Sequence, residues 1–188
     1  MIKDEVKKAV EVLKNGGLIL YPTDTVWGIG CDATNSEAVA KIYALKKSEN
    51  KTSMLVLTDS VDRAACYVTN APDIAWELME VTDKPLTLIL PGATGVAANL
   101  IPDEKTLGIR VPDHEFCKML TRALGRPLVS TSANISGEKS PVTFDQISEE
   151  IKKGVDMIVD RAYEGHPTGK PSSIIMIDAT AQIKIIRP

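Results

Sequence analysis

Aromatic side chains are scarce in this chain, at 4% of 188 residues, so the core must be built mainly from aliphatic groups. Cysteine is equally sparse. Cys31, Cys66 and Cys117 lie far apart with no paired spacing. That excludes a disulfide framework and a cysteine zinc site, and fits reduced thiols in a cytoplasm. The two histidines, His114 and His166, have no ligand spacing, which argues against a zinc centre. No apolar run approaches ~20 residues, so no membrane span is expected, and the charged start lacks an apolar signal core. Net charge is −3, so no broad basic face for nucleic acid is expected, although a local basic pocket is allowed.

Several catalytic signatures are missing too. No G-x-G-x-x-G follows a strand, and no G-x-S-x-G elbow is present. Gly165-His166-Pro167-Thr168-Gly169-Lys170 falls one residue short of a P-loop, and Pro171 stands where the phosphate-binding helix should start. Metal hydrolysis and covalent acyl chemistry are therefore poor readings.

What is present suits one α/β domain. Hydrophobic residues make up 44%, and at this length roughly 70% of the unfolded surface can be buried. Residues 1–188 show no repeat, linker or low-complexity segment, so a single domain is expected. Helical spacing marks 4–13, a stretch from a cap at Asn35 or Ser36 to Lys46, then 60–67, 72–81 (with Ile74, Ala75, Leu78, Met79 and Val81 facing the core), 113–124 capped by Asp113, and 143–153 capped by Thr143. Short apolar runs mark strands at 18–21, 53–57, 85–92, 107–112, 128–129, 155–159, 172–178 and 183–186. Strands and helices intermix throughout, which predicts a mixed sheet.

Four stretches carry chemistry. Ser130-Thr131-Ser132-Ala133-Asn134 opens abruptly at the end of an apolar strand, where ligands sit in open α/β sheets; a turn bonded to its own backbone fits equally well. After Tyr21 the chain runs Pro22-Thr23-Asp24-Thr25-Val26-Trp27-Gly28-Ile29-Gly30, dense in small and polar residues. Its glycines permit a bend or a close approach to a ligand, and Trp27 is read as core. Lys46, Lys47 and Lys51 form either a solvated helix end or an anion clamp. Arg110 sits inside an apolar strand, so it must be paired or point into a polar cavity. Hydroxyls, lysines and arginines at strand and helix ends suit holding a polyphosphate while a bond breaks.

Taken in order, these pieces resemble the threonylcarbamoyl-AMP synthase family (YrdC-type). The likeness rests on the segment 21–33, Lys46, Pro85-Leu86-Thr87-Leu88-Ile89-Leu90-Pro91-Gly92, Gly108-Ile109-Arg110-Val111-Pro112, Ser130-Thr131-Ser132-Ala133-Asn134-Ile135-Ser136-Gly137, Pro171-Ser172-Ser173-Ile174-Ile175 and Ile186-Arg187-Pro188. It implies a YrdC-like α/β fold: a twisted mixed, largely parallel sheet with flanking helices around a concave basic cavity. It implies that L-threonine, bicarbonate or carbon dioxide, and ATP give threonylcarbamoyl-AMP and pyrophosphate. A separate tRNA threonylcarbamoyl transferase then serves the t6A modification at position 37 of tRNA. Magnesium is expected with the ATP, without a dedicated carboxylate cage, and any RNA contact is expected to be weak.

The resemblance also implies roles. Thr25 and Ser172 or Ser173 would bind threonine, and Arg110 the threonine carboxylate or a phosphate. Lys46, Lys47, Thr87, Ser130, Ser132, Asn134 and Arg187 would bind ATP. No protein nucleophile is expected. One departure stands out. The family reads Lys-x-Arg after the second helix, and here the sequence is Lys46-Lys47-Ser48. Serine cannot make the bidentate phosphate contact of arginine, so Lys47 or Lys51 would have to compensate. An alternative is a relative of the same fold that binds nucleotide or RNA without catalysis.

Overall fold

The computed structural model describes residues 1–48 and 54–188. Nine strands among the described residues form one sheet: β1 (Ile19–Tyr21), β2 (Gly28–Gly30), β3 (Leu55–Leu57), β4 (Leu86–Pro91), β5 (Thr106–Arg110), β6 (Leu128–Ser132), β7 (Met157–Ile158), β8 (Ser173–Ile177) and β9 (Ile183–Arg187). Their order is β7-β1-β2-β6-β3-β5-β4-β8-β9. Six α-helices accompany them among the described residues: α1 (Ile2–Lys14), α2 (Ser36–Lys46), α3 (Val61–Ala65), α4 (Asp73–Val81), α5 (Glu115–Leu124) and α6 (Glu149–Lys153).

The sheet is mixed, as expected, but parallel pairing is the minority. The β1–β7, β3–β5 and β4–β8 ladders are parallel, and the other five are antiparallel. Chain length between strands explains two of the five antiparallel ladders, β1–β2 and β8–β9. A parallel return needs a crossover of about a dozen residues or more. Only residues 22–27 separate β1 from β2, and only 178–182 separate β8 from β9.

Two apolar layers form on the two faces. The larger packs α2, α3, α4 and α6 on the sheet through Val39, Ile42, Ala64, Ala75, Met79 and Ile151, against Val56, Leu88, Leu90, Ile109 and Val129. The smaller packs α1 and α5 on the opposite face. Val6, Ala9 and Leu13 of α1 and Phe116, Leu120 and Leu124 of α5 meet Ile19 and Tyr21 of β1, Leu57 of β3 and Leu128 of β6. None of its members comes from β4, β5, β8 or β9. That half of the face is left concave and uncovered by helix. Strand alternation decides what lies there. On β4, Leu88 and Leu90 point to the larger core, while Thr87 and Ile89 point to the open side. On β5, Ile109 is core, and Gly108 and Arg110 face the open side.

Local differences from the sequence reading have local causes. The predicted helix 143–153 is two pieces. Thr143 and Gln146 close a capping box over a short 3-10 turn, and Ser148 caps α6 separately, its hydroxyl accepting from Ile151 N at 3.4 Å. Asp113 does not cap α5. His114 occupies that position, and the Asp113 carboxylate takes the Lys118 ammonium instead at 2.9 Å. Val81 ends α4 78% exposed, off the core face where it was expected. The predicted strand at 155–159 narrows to Met157–Ile158. No strand was expected at β2, whose three residues include two glycines, yet it is wholly buried between β1 and β6. Asn35 caps α2 as expected, its Oδ1 accepting from Ala38 N at 3.0 Å.

Gly30 shows why β2 is glycine-rich. A Cβ there would meet Tyr21 Cε1 and the Val129 carbonyl oxygen, each at 2.7 Å. Backbone cannot move aside as a flexible side chain can. Gly30→Ala is therefore expected to destabilise the fold by about 1–3 kcal/mol. A urea transition that shifts to lower concentration with its slope kept would show this, and an unmoved midpoint would refute it.

Candidate active site

The uncovered half of the sheet floors a cavity of about 590 Å³. Its wall is assembled from segments distant in sequence. The β1–β2 loop brings Thr23 and Thr25, and β5 brings Gly108 and Arg110. β4 brings Thr87, the end of β6 brings Ser130 and Ser132, and the C-terminal strands bring Ser172, Ile174 and Arg187. Register explains the grouping. Thr87 lies beside Ile174 across β4 and β8, and Ile174 lies beside Arg187 across β8 and β9. One transverse row thus carries hydroxyl, apolar and cationic groups.

Arg110 is 3% exposed, and it is paired. Its Nη1 donates to Asp24 Oδ1 at 2.7 Å and to Thr25 Oγ1 at 3.3 Å. The second Asp24 oxygen accepts from Asp113 N at 3.1 Å. Arg110 Nε has no hydrogen-bond partner among the described residues. The guanidinium thus keeps donor capacity beyond its protein contacts. Removing it by Arg110→Ala would strand a buried carboxylate at a cost of about 3–5 kcal/mol, so Arg110→Lys is the cleaner probe.

Arg187 donates from Nε to the Ser172 carbonyl at 2.8 Å. Burial, and then the positive charge of Arg110, lower its pKa. An anion bound between the two arginines would relieve that repulsion. The Thr87 and Ser172 hydroxyls share a hydrogen bond at 2.7 Å. Among the described lining residues Glu104 is the one carboxylate against two arginines, and Asp24 offsets the charge of Arg110, so the wall is rich in hydrogen-bond donors and less basic than expected.

The lysines divide. Lys46 ends α2 buried, and its Nζ donates to the carbonyls of Ser132 and Asn134 at 2.6 and 2.7 Å. It stands behind the Ser/Thr/Asn loop rather than on the cavity wall. Burial pushes its ammonium down from 10.5 to about 8. Lys47, expected at the nucleotide, lies away from the cavity. It takes the left-handed conformation (φ 51°) that closes α2, and its Nζ meets Glu150 Oε1 at 2.9 Å. Lys51 lies outside the described residues. Asn134 is near but turned inward, its amide donating to the carbonyls of Ile135 and Glu138. Ser173 begins β8 without lining the cavity. Seven of the expected residues share the wall: Thr25, Thr87, Arg110, Ser130, Ser132, Ser172 and Arg187.

Sequence reasoning did not single out Thr23 and Asp24. The demand for a partner to Arg110 was the signal that could have found Asp24. Trp27, read as core, is 1% exposed, with its indole N–H donating to Glu164 Oε1 at 2.7 Å. No group of three or more His, Cys, Asp or Glu among the described residues could hold a metal ion. No helix among them is long and apolar enough to cross a membrane.

A mixed sheet with one face covered by helices and the other only half covered, with hydroxyls and arginines gathered on the bare half, defines an α/β protein with a polar, arginine-bearing cavity. The chain belongs to the Sua5/YciO/YrdC family, described as Telomere recombination, which matches residues 11–188. A threonylcarbamoyl-AMP synthase of Idiomarina loihiensis is 34% identical over 162 residues, covering 85% of this chain and 86% of that protein. Two P. abyssi Sua5 structures superpose closely, each at 27% identity. The H234A/Y235A form gives a TM-score of 0.88 over 97% of this chain and 56% of that one. The form complexed with L-threonine gives 0.82 over 91% and 50%. This chain therefore spans about half the length of the P. abyssi protein.

Burial of Lys46 has a measurable consequence. Its ammonium is expected to lose its proton near pH 8, while exposed lysines titrate near 10.5. An NMR titration of the Lys46 Nζ group checks this. A midpoint above pH 10 would mean that burial does not govern it.

Proposed function

We propose that this chain is an L-threonylcarbamoyladenylate synthase, a nucleotidyltransferase acting on L-threonine, bicarbonate or carbon dioxide, and ATP. The observation that carries this reading is the pairing of Arg110 with Asp24 and Thr25 on the wall of a cavity that also holds Ser130, Ser132, Thr87 and Arg187. The likeness to a Sua5 structure complexed with L-threonine and to proteins named threonylcarbamoyl-AMP synthase supports it.

The chemistry asks for position and charge rather than a protein nucleophile. The threonine amine bonds to carbon dioxide and loses a proton, giving a carbamate. A carbamate oxygen then attacks the α-phosphate, the bond to the β-phosphate oxygen breaks, and pyrophosphate leaves. In this reading Arg110, Thr25 and Ser172 hold the amino acid. Thr87, Ser130, Ser132 and Arg187 line the nucleotide side, and Lys46 adds positive charge from behind the loop. Magnesium would come with ATP as part of the substrate and would offset charge on its phosphates. The product passes to a separate tRNA threonylcarbamoyl transferase, in a cytoplasmic pathway that needs at most weak RNA contact. Residues 1–188 act as one working domain.

A second reading has its own observation. Ser48 stands where the resemblance calls for arginine, and Lys47 is committed to Glu150. That favours a relative that binds nucleotide or RNA without turnover. One assay separates the two. Pyrophosphate release from ATP is expected only when L-threonine and bicarbonate are both supplied. Folded protein that binds ATP but releases none under these conditions would defeat the synthase reading. Gain of release in Ser48→Arg would then identify the missing charge as the cause.

A further inference from the structure

We propose that Thr23 and Asp24 are positioning residues of the amino-acid subsite: Thr23 takes the Thr25 proton, so that Thr25 can only accept from a ligand, and Asp24 holds the donor-only Arg110 guanidinium beside it. The inference rests on the synthase reading and goes one layer outward from it.

Proton bookkeeping at the β1–β2 loop carries the inference. A threonine hydroxyl has one proton and two lone pairs. The Thr23 proton is spent on the Val26 carbonyl at 2.7 Å. Thr23 Oγ1 also accepts from Thr25 N at 3.1 Å. The remaining contact, Thr23 Oγ1 to Thr25 Oγ1 at 2.9 Å, therefore has only one donor left, the Thr25 hydroxyl. Thr25 in turn accepts from Arg110 Nη1 at 3.3 Å. Its proton is committed, and one lone pair is left for the cavity. A carboxylate or phosphate oxygen is repelled there, while an amine or hydroxyl hydrogen is welcome.

Asp24 fixes the complementary half. Both its oxygens are occupied, one by Arg110 and one by Asp113 N. The backbone is pinned as well, since Thr168 N and Gly169 N donate to the carbonyls of Asp24 and Thr25, each at 2.9 Å. A guanidinium held by one edge cannot swing to satisfy itself elsewhere. Acceptor and donor then sit side by side. They fit a ligand that carries an anion next to an N–H or O–H donor, which is the chemical signature of a free α-amino acid.

Calorimetry with L-threonine and, separately, with ATP tests this on the full chain. Thr23→Val keeps the shape and removes the acceptor, so the Thr25 proton is released and turns toward the ligand. L-threonine affinity is expected to fall roughly tenfold, with ATP affinity held within about twofold. Thr23→Ser, which keeps the hydroxyl, is expected to bind L-threonine within about twofold of the unaltered protein. Asp24→Asn is expected to weaken L-threonine more than L-threoninamide, which lacks the anion. Equal affinity of Thr23→Val and unaltered protein for L-threonine would overturn the inference. So would an equal loss for ATP, or a Thr23→Ser variant as weak as Thr23→Val. If Thr23→Val does not fold, Asp24→Asn decides, and undiminished preference for L-threonine there overturns the inference. Unaltered protein that binds no L-threonine sinks both this inference and the synthase reading. Threonine-dependent pyrophosphate release with unperturbed variants sinks this inference alone.

Discussion

The ion pair between Asp24 and Arg110 is the contact on which the site depends. Both side chains are almost fully removed from water, and neither charge could stay there alone. The pair ties the β1–β2 loop to β5, two strands from different halves of the sheet. It also places Thr25 against the same guanidinium. Because the carboxylate is satisfied on both oxygens, the geometry is set before any ligand arrives. At this cluster it is preorganisation in its simplest form, with dipoles and charges already aimed before binding.

The rest of the architecture serves that arrangement by leaving room for it. α1 and α5 form a compact block on one half of a face and stop at β3. The strands beyond it must then carry two apolar-tolerant faces of different purpose. The face toward α2, α3 and α4 is aliphatic throughout. The other mixes Thr87, Arg110 and Ser172 with Ile89, Ile174 and Met176. Such a surface can receive a ligand with both a charged end and an apolar ring or methyl group.

Much of this was legible in the sequence, and what was not has physical reasons. Long periodic elements such as α1 and α5 were visible because their buried positions repeat every three or four residues. Arg110 was legible as an anomaly, a charge that needed an explanation. β2 was hidden because glycine contributes no pattern; its place in the sheet is fixed by neighbours on both sides. The alternation along β4 was masked because Ile89 is as apolar as Leu88, although one faces a cavity and the other the core. Lys47 read as a partner of Lys46, but the left-handed turn between helix and loop sends it the other way. Spacing along the chain shows that two lysines are adjacent. It does not show which side of a turn each will take.

The hydrogen bonds of Lys46 to the carbonyls of Ser132 and Asn134 have one more consequence. The ammonium is a strut for the loop, and in the synthase reading an incoming anion would draw on the same charge, so the two demands would compete. A phosphate that draws the ammonium forward leaves two carbonyls in search of new partners. In that reading, occupancy of the cavity and the shape of the loop after β6 would be two readings of one equilibrium.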